Sequence, residues 1–224
     1  HSFPTRRSSD LQIINNIPYM ALQDELSKKA QEDRKNSPEE LLQANDRHVQ
    51  ELENKGFSKQ GMKPGDKIPD FVLHNAVGKK VYSDLLLKRG PLVINFYRGG
   101  WCPYCNLELK ALQRALPEIR NLKGDLVAIS PESPDNSLST AQKYNLEMEV
   151  LTDTDNNVAR RFGIVYELPE YLKEVYMRFG LDLSQLHNSD KFELPLPATY
   201  VVDSNGIIFY AFANDDFTVR ATME

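Results

Sequence analysis

The chain holds two cysteines in 224 residues, and they stand three positions apart in Gly99-Gly100-Trp101-Cys102-Pro103-Tyr104-Cys105. On a helix, residues i and i+3 lie roughly 5–6 Å apart. That suits the ~4.4–6.8 Å Cα separation of a disulfide. Such a pair opens and closes with little backbone movement, so the chemistry it offers is thiol redox chemistry. An apolar run over residues 92–97 leads in, and a strong helical pattern follows from Asn106. The dithiol therefore belongs at a strand, tight loop and helix N-terminus. Cys102 falls at the helix mouth, where unsatisfied N–H groups and the helix dipole favour a thiolate. Thiol pKa values in such motifs fall to roughly 3.5–7.5. Cys105 lies one turn deeper and is more shielded. Trp101 covers the pair, and the two glycines let backbone approach a substrate closely.

Other uses of the cysteines fit less well. A disulfide spanning two residues closes too small a loop to stabilise much by chain entropy. A zinc site needs about four ligands, and His48, His74 and His187 lie far away without paired spacing. Neither a metal nor a cofactor is expected. Pro197 stands just before a strand-like run over residues 199–203. A cis proline facing a dithiol presents its backbone to a bound substrate; the alternative is an ordinary strand-edge proline.

The surrounding elements must position this loop. A chain of 224 residues predicts one domain with helical additions. Apolar content of 41% supplies a core, and a net charge of −5 without a basic patch sets nucleic acid aside. No apolar stretch approaches membrane-spanning length. Two cysteines cannot build a multi-disulfide secreted scaffold, so a reducing compartment, the cytoplasm, is expected. The run 11–22 is broken as a signal core by Asn15, Asn16 and Pro18.

Residues 1–19 are expected to be non-native, because 1–11 resemble the translation of a sequencing-library adapter. Met20 then opens an N-terminal helical extension, 20–60. It comprises two helices, the second started by a capping box at Ser37-Pro38-Glu39-Glu40 and ended at Gly56. The main domain is 61–224. Its expected order is a short hairpin, a small helix from Ser83, the strand 92–97, helix 103–121, strand 125–130 and helix 137–145. A strand at 150–151 and a helix at 155–162 follow. An insert, 165–194, carries a helix with Tyr171, Leu172, Val175, Tyr176 and Phe179, serving as core packing, a lid or a dimer surface. A hairpin, 199–203 with 207–212, comes last. The abrupt end beyond it predicts a missing C-terminal element. Strand–helix–strand at 92–130 needs a parallel crossover, and the antiparallel hairpin makes the sheet mixed. The fold class is α/β, thioredoxin-like, with a mixed central sheet flanked by helices.

Residues 64–71, 96–109, 127–132 and 197–203 resemble the alkyl hydroperoxide reductase/thiol-specific antioxidant (AhpC/TSA) family, in a peroxiredoxin-like form within the thioredoxin superfamily. That resemblance implies a thiol-dependent peroxidase whose Cys102/Cys105 disulfide is reduced by thioredoxin or another thiol. A homodimer is one arrangement it allows. The peroxiredoxin loop Pro-x-x-x-Thr-x-x-Cys, laid on this chain, puts the peroxidatic cysteine at Cys105, the threonine at Cys102 and the proline at Arg98. The family's arginine falls near Pro197. Laid on thioredoxin-type oxidoreductases, Cys102 attacks, Cys105 resolves and Pro197 is the cis proline. Arg98 can supply charge to a thiolate or a peroxide oxygen, or be an exposed loop residue. Glu108 can relay protons to the deeper thiol, or be a solvated helix residue. Helix-mouth geometry favours Cys102 as the more reactive thiolate, and the family favours peroxidase as the activity. The alternatives are thiol–disulfide exchange with protein partners and a non-enzymatic redox-sensing module.

Overall fold

The sheet is organised around the strand that delivers the dithiol. The structure, a computed structural model, describes residues 18–221; the segment expected to be non-native lies outside them except at its last two positions. Strand β3 (Leu92–Phe96) is paired in parallel with β4 (Asp125–Ser130), from Leu92 opposite Asp125 to Phe96 opposite Ile129. The crossover between them is helix α4 (Pro103–Asn121), and both ends of that helix are the ones expected. β4 pairs in parallel with β5 (Glu149–Thr152), which pairs antiparallel with β1 (Val72–Asn75) of the hairpin to β2 (Lys80–Tyr82). On its other side β3 meets β8 (Ala198–Val202) antiparallel, and β8 meets β9 (Ile208–Ala213). The result is one mixed seven-stranded sheet, order β2-β1-β5-β4-β3-β8-β9. The central strands read as apolar runs because both faces are covered. Leu92, Ile94, Phe96, Leu126, Val127 and Ile129 are fully buried, at about 1.5–3 kcal/mol of transfer free energy for each such side chain.

Helices α1 (Pro18–Asn36) and α2 (Glu39–Lys55) form the N-terminal extension. Leu22 and Leu26 of α1 share a cluster with Leu109, Leu112 and Leu116 of α4. The expected capping box does not form: no side chain caps α2, which starts at Glu39. The Ser37 amide bonds back to the Asp33 carbonyl at 2.9 Å, so Ser37 directly follows and closes α1, and Pro38 stands at the N-cap of α2. Gly56 closes α2 in the left-handed conformation, φ 55°, as its position predicts.

The smaller elements are α3 (Ser83–Leu87), α5 (Pro134–Lys143) and α6 (Asn157–Arg161). The insert holds more than one helix. It contains α7 (Glu170–Arg178), α8 (Leu183–His187) and a two-stranded ladder of β6 (Val165–Glu167) with β7 (Glu193–Pro195). Leu172, Val175 and Tyr176 of α7 join the main core with Ala44 and Leu52 of α2.

Candidate active site

Cys102 is the N-cap residue of α4, with φ −86° and ψ 115°, and Pro103 takes the first helical position. Proline suits that place because its missing N–H would have no helical partner there. Gly99, at φ 146°, turns the loop between β3 and the helix, in a conformation that favours glycine. The Cys102 amide returns to the Gly99 carbonyl at 3.1 Å. Both sulfurs are free thiols, and both residues are buried, Cys102 at 1% exposure and Cys105 at 0%.

The two thiols are driven apart electrostatically. Burial by itself raises the Cys102 thiol, yet its pKa lies at about 5. The Cys105 thiol beside it, the guanidiniums of Arg98 and Arg220, and the Cys105 amide outweigh burial. Cys105 moves the other way: burial, then the Cys102 sulfur, hold it well above the ordinary range. The two shifts run in opposite directions, down for Cys102 and up for Cys105.

Two buried arginines supply the positive charge. Arg98, which directly follows the Tyr97 that ends the apolar run, is buried, so its reading as an exposed loop residue is corrected. Its guanidinium lies 4.7 Å from the Trp101 ring and 4.3 Å from that of Phe217. Arg98 Nη2 donates to Tyr176 Oη at 2.9 Å, and that hydroxyl donates to Asn45 Oδ1 at 2.8 Å. No carboxylate pairs with Arg98 among the described residues, and its Nε has no partner there.

Arg220 comes from the segment after β9. Its Nε donates to Glu108 Oε2 at 2.6 Å and its Nη2 to Cys105 Sγ at 3.5 Å. It also donates to the carbonyls of Phe217 and Val219. Glu108 is buried, not solvated; burial raises its carboxyl above the ordinary value even with Arg220 opposing.

Trp101 lines the same cavity as Cys102, and its Nε1 donates to His187 Nε2 at 3.4 Å. His187 is held neutral: burial lowers its pKa to about 4, which leaves Nε2 free to accept. Pro197 is buried at the start of β8, beside the end of β3 where Phe96 pairs with Ala198. Its peptide is trans, since the described chain has no cis bond. The cis expectation is therefore corrected: β8 begins at Ala198 and pairs through without a cis turn.

Cys102, but not Cys105, lines a cavity of about 330 Å³. Arg98, Trp101 and Tyr176 line it with Cys102, together with residues of α1 and α2. Tyr104 Oη donates to Asp33 Oδ2 at 2.9 Å, tying α1 to the helix that carries the dithiol. The insert helix α7 supplies Tyr176 and so takes part in the site as well as in the core.

The match to known proteins coincides with this loop and its sheet. The family model described as "AhpC/TSA family" covers residues 64–211. The chain belongs to the AhpC/TSA family. Among curated relatives, this AhpC/TSA protein is 30% identical over 104 residues to a putative peroxiredoxin bcp of Buchnera aphidicola. That match spans 46% of this chain and 65% of the relative. It is 27% identical over 150 residues to chloroplastic peroxiredoxin Q of Sedum lineare, across 67% of this chain and 68% of the relative. The Gentiana triflora peroxiredoxin Q match, also 27%, spans 58% of that relative. The chain therefore spans 58–68% of the length of these curated relatives. Among solved structures, peroxidoxin BcpB from Mycobacterium tuberculosis superposes with a TM-score of 0.56 at 22% identity, over 70% of this chain and 91% of that one. PrxQ of Xylella fastidiosa gives 0.56 at 15% identity, over 71% and 87%. These likenesses show the fold, a thioredoxin-type mixed sheet flanked by helices.

Sequence reasoning missed Arg220 in this AhpC/TSA protein, having looked for an arginine only near Pro197. One signal was available. Glu108 sits three residues after Cys105 and one before Leu109, on the inward face of α4, and a buried carboxylate requires a cationic partner.

Proposed function

We propose that this protein is a thiol-dependent peroxidase in which Cys102 is the attacking thiolate. The observation that carries this reading is that Cys102 alone of the two sulfurs lines the cavity, with its pKa near 5. The thiolate attacks one oxygen of a hydroperoxide and the O–O bond breaks. The other oxygen leaves as the alcohol after taking up a proton, and Cys102 becomes a sulfenic acid. The Arg98 Nε, which lacks a partner, is offered to the oxygens of the breaking bond. The Cys105 sulfur then displaces the sulfenic oxygen as water, giving the Cys102–Cys105 disulfide. Glu108, paired to the same Arg220 that reaches Cys105, takes part in moving the Cys105 proton. Two electrons from an external thiol restore the dithiol.

Thiol–disulfide exchange on protein substrates is the second reading. Burial of both sulfurs and the trans Pro197 peptide weigh against it, because a folded partner's disulfide must touch the attacking sulfur. Free thiols suit a reducing compartment such as the cytoplasm, and no described helix is long and apolar enough to cross a membrane.

The test supplies dithiothreitol as reductant and compares hydrogen peroxide with a protein disulfide. Peroxide turnover is expected, lost in Cys102→Ser. A dimedone-type probe should trap the sulfenic acid in Cys105→Ser and find none in Cys102→Ser. Rapid disulfide reduction with peroxide turnover at background would overturn the peroxidase.

A further inference from the structure

A second buried carboxyl lies against the dithiol loop and takes no part in the peroxidase steps above. Glu132 stands two residues beyond β4 and is 2% exposed. Its amide donates to Ser130 Oγ at 3.4 Å. Its Oε2 has no partner, and no lysine or arginine pairs with it, among the described residues. A Cβ on Gly99 would stand 3.1 Å from the Glu132 carboxyl carbon and 2.4 Å from the Trp101 indole nitrogen. The carboxyl therefore packs against the turn that leads to Cys102.

A buried carboxylate without a cation is so costly that the group takes up a proton instead. Burial raises the Glu132 carboxyl from 4.5 to about 7; the Gly100 amide opposes this, and Cys102 adds to it. No neighbouring element supplies the missing cation. Tyr97, directly after β3, is buried with its hydroxyl unpartnered, and Glu132 helps to hold that phenol un-ionised. His187 of α8, which accepts from Trp101, is neutral. Asp153, whose amide bonds to the Ser130 carbonyl, turns its carboxylate to the amides of Val158 and Ala159. Arg98 faces the rings of Trp101 and Phe217, and Arg220 faces Glu108. Among the groups that act on Glu132, Cys102 is the one whose charge changes with oxidation.

We propose that Glu132 is a positioning residue of the dithiol, which holds a proton while Cys102 is ionised and releases it when Cys102 is oxidised. This rests on the Cys102–Cys105 redox couple proposed above. A Cys102 thiolate, a Cys105 thiol, a hydroperoxide and one proton give the disulfide, the alcohol and water. Two electrons pass from the sulfurs to the O–O bond. Both the sulfenic acid and the disulfide are uncharged, so oxidation removes the negative charge beside Glu132. The carboxyl then ionises more readily, and its proton matches the one that the reaction consumes. Reduction by two thiols restores the Cys102 thiolate and sets one proton free, which returns to Glu132.

The experiment counts protons. Reduced protein, lightly buffered at a pH midway between about 5 and about 7, is oxidised with hydrogen peroxide or, separately, with diamide. Diamide takes up two electrons and two protons, so a dithiol with one thiolate again draws one proton from solution. A pH indicator reads the uptake, and free-thiol titration reads the disulfide. The wild type is expected to fall short of one proton per disulfide by at least about a quarter of a proton, and Glu132→Gln to take up about one. The shortfall should persist in Glu108→Gln, which alters the other buried carboxyl near the pair, so either variant assigns the proton. Infrared difference spectra should show the wild type losing a protonated-carboxyl band on oxidation, and Glu132→Gln keeping its spectrum there unchanged. One full proton per disulfide in the wild type overturns the proposal. So does a shortfall that remains in Glu132→Gln or vanishes in Glu108→Gln. Disulfide formation by diamide but not by peroxide counts against the peroxidase alone, and the diamide count still tests Glu132. A protein that forms the disulfide with neither oxidant overturns both.

Discussion

Arg220 and Glu108 stand 112 residues apart in the chain, and their side chains meet at 2.6 Å with 1% and 5% exposure. One comes from the segment after the last strand and the other from the helix that carries the dithiol. Their pairing fastens the segment after β9 to α4 and places a guanidinium nitrogen 3.5 Å from the Cys105 sulfur.

Removing one partner should be costly, because it leaves the other charge buried and unpaired. Arg220→Leu is expected to lower stability by ~3–5 kcal/mol, with the double variant Arg220→Leu/Glu108→Leu recovering part of that loss. Urea unfolding of the two variants measures both numbers. A double variant less stable than Arg220→Leu would contradict the pairing energetics.

The Cys102 thiolate sets the acid limit of reactivity. The thiol's ordinary value is 9.0 and the fold holds it at about 5, so the ionised form stabilises the fold. That contribution is complete above pH 9.0 and declines to nothing as pH falls through about 5. The rate of alkylation by iodoacetamide should inflect near pH 5 in the native protein, and Cys102→Ser should lack the inflection. An inflection near the ordinary thiol value of 9.0 would refute the electrostatic account.

His48 should make the fold acid-labile. It is buried against Tyr166, ring centroids 5.1 Å apart, and neither ring nitrogen has a partner among the described residues. Burial, then Arg98, lowers its pKa from 6.5 to about 4. The unfolded chain therefore binds the proton first, and stability declines as pH falls from 6.5 toward 4. The ceiling is roughly 1.4 kcal/mol for each unit of depression. In His48→Phe the decline across that window should be shallower, leaving the share due to His187, which is depressed in the same direction.

Gly99 is where the loop cannot take a side chain. A Cβ there would stand 2.4 Å from the Trp101 indole nitrogen, at a φ of 146°. Gly99→Ala should therefore displace Trp101 from His187 and cost ~1–3 kcal/mol in backbone strain. A shift in the Trp101 emission maximum together with a lower unfolding midpoint is the expected result. Unchanged emission would contradict it.

What the sequence determined was local. The dithiol, its place at a strand-to-helix junction, the helix from Pro103 to Asn121 and the order of the central strands were legible, because helical periodicity, apolar runs and proline at the first helical position act over a few residues. Chain folding decided the rest. The capping box at Ser37 failed because the preceding helix claimed that residue, and Pro197 stayed trans. Arg98, whose exposure was undecided, became a buried cation once Phe217 and Tyr176 closed on it from distant segments. Arg220 came to Cys105 across 115 positions, and no pattern in its own neighbourhood marks it. Which sulfur carries the charge was likewise a tertiary matter. The helix end favours Cys102, but its pull is completed by two guanidiniums that only the folded chain brings to one place.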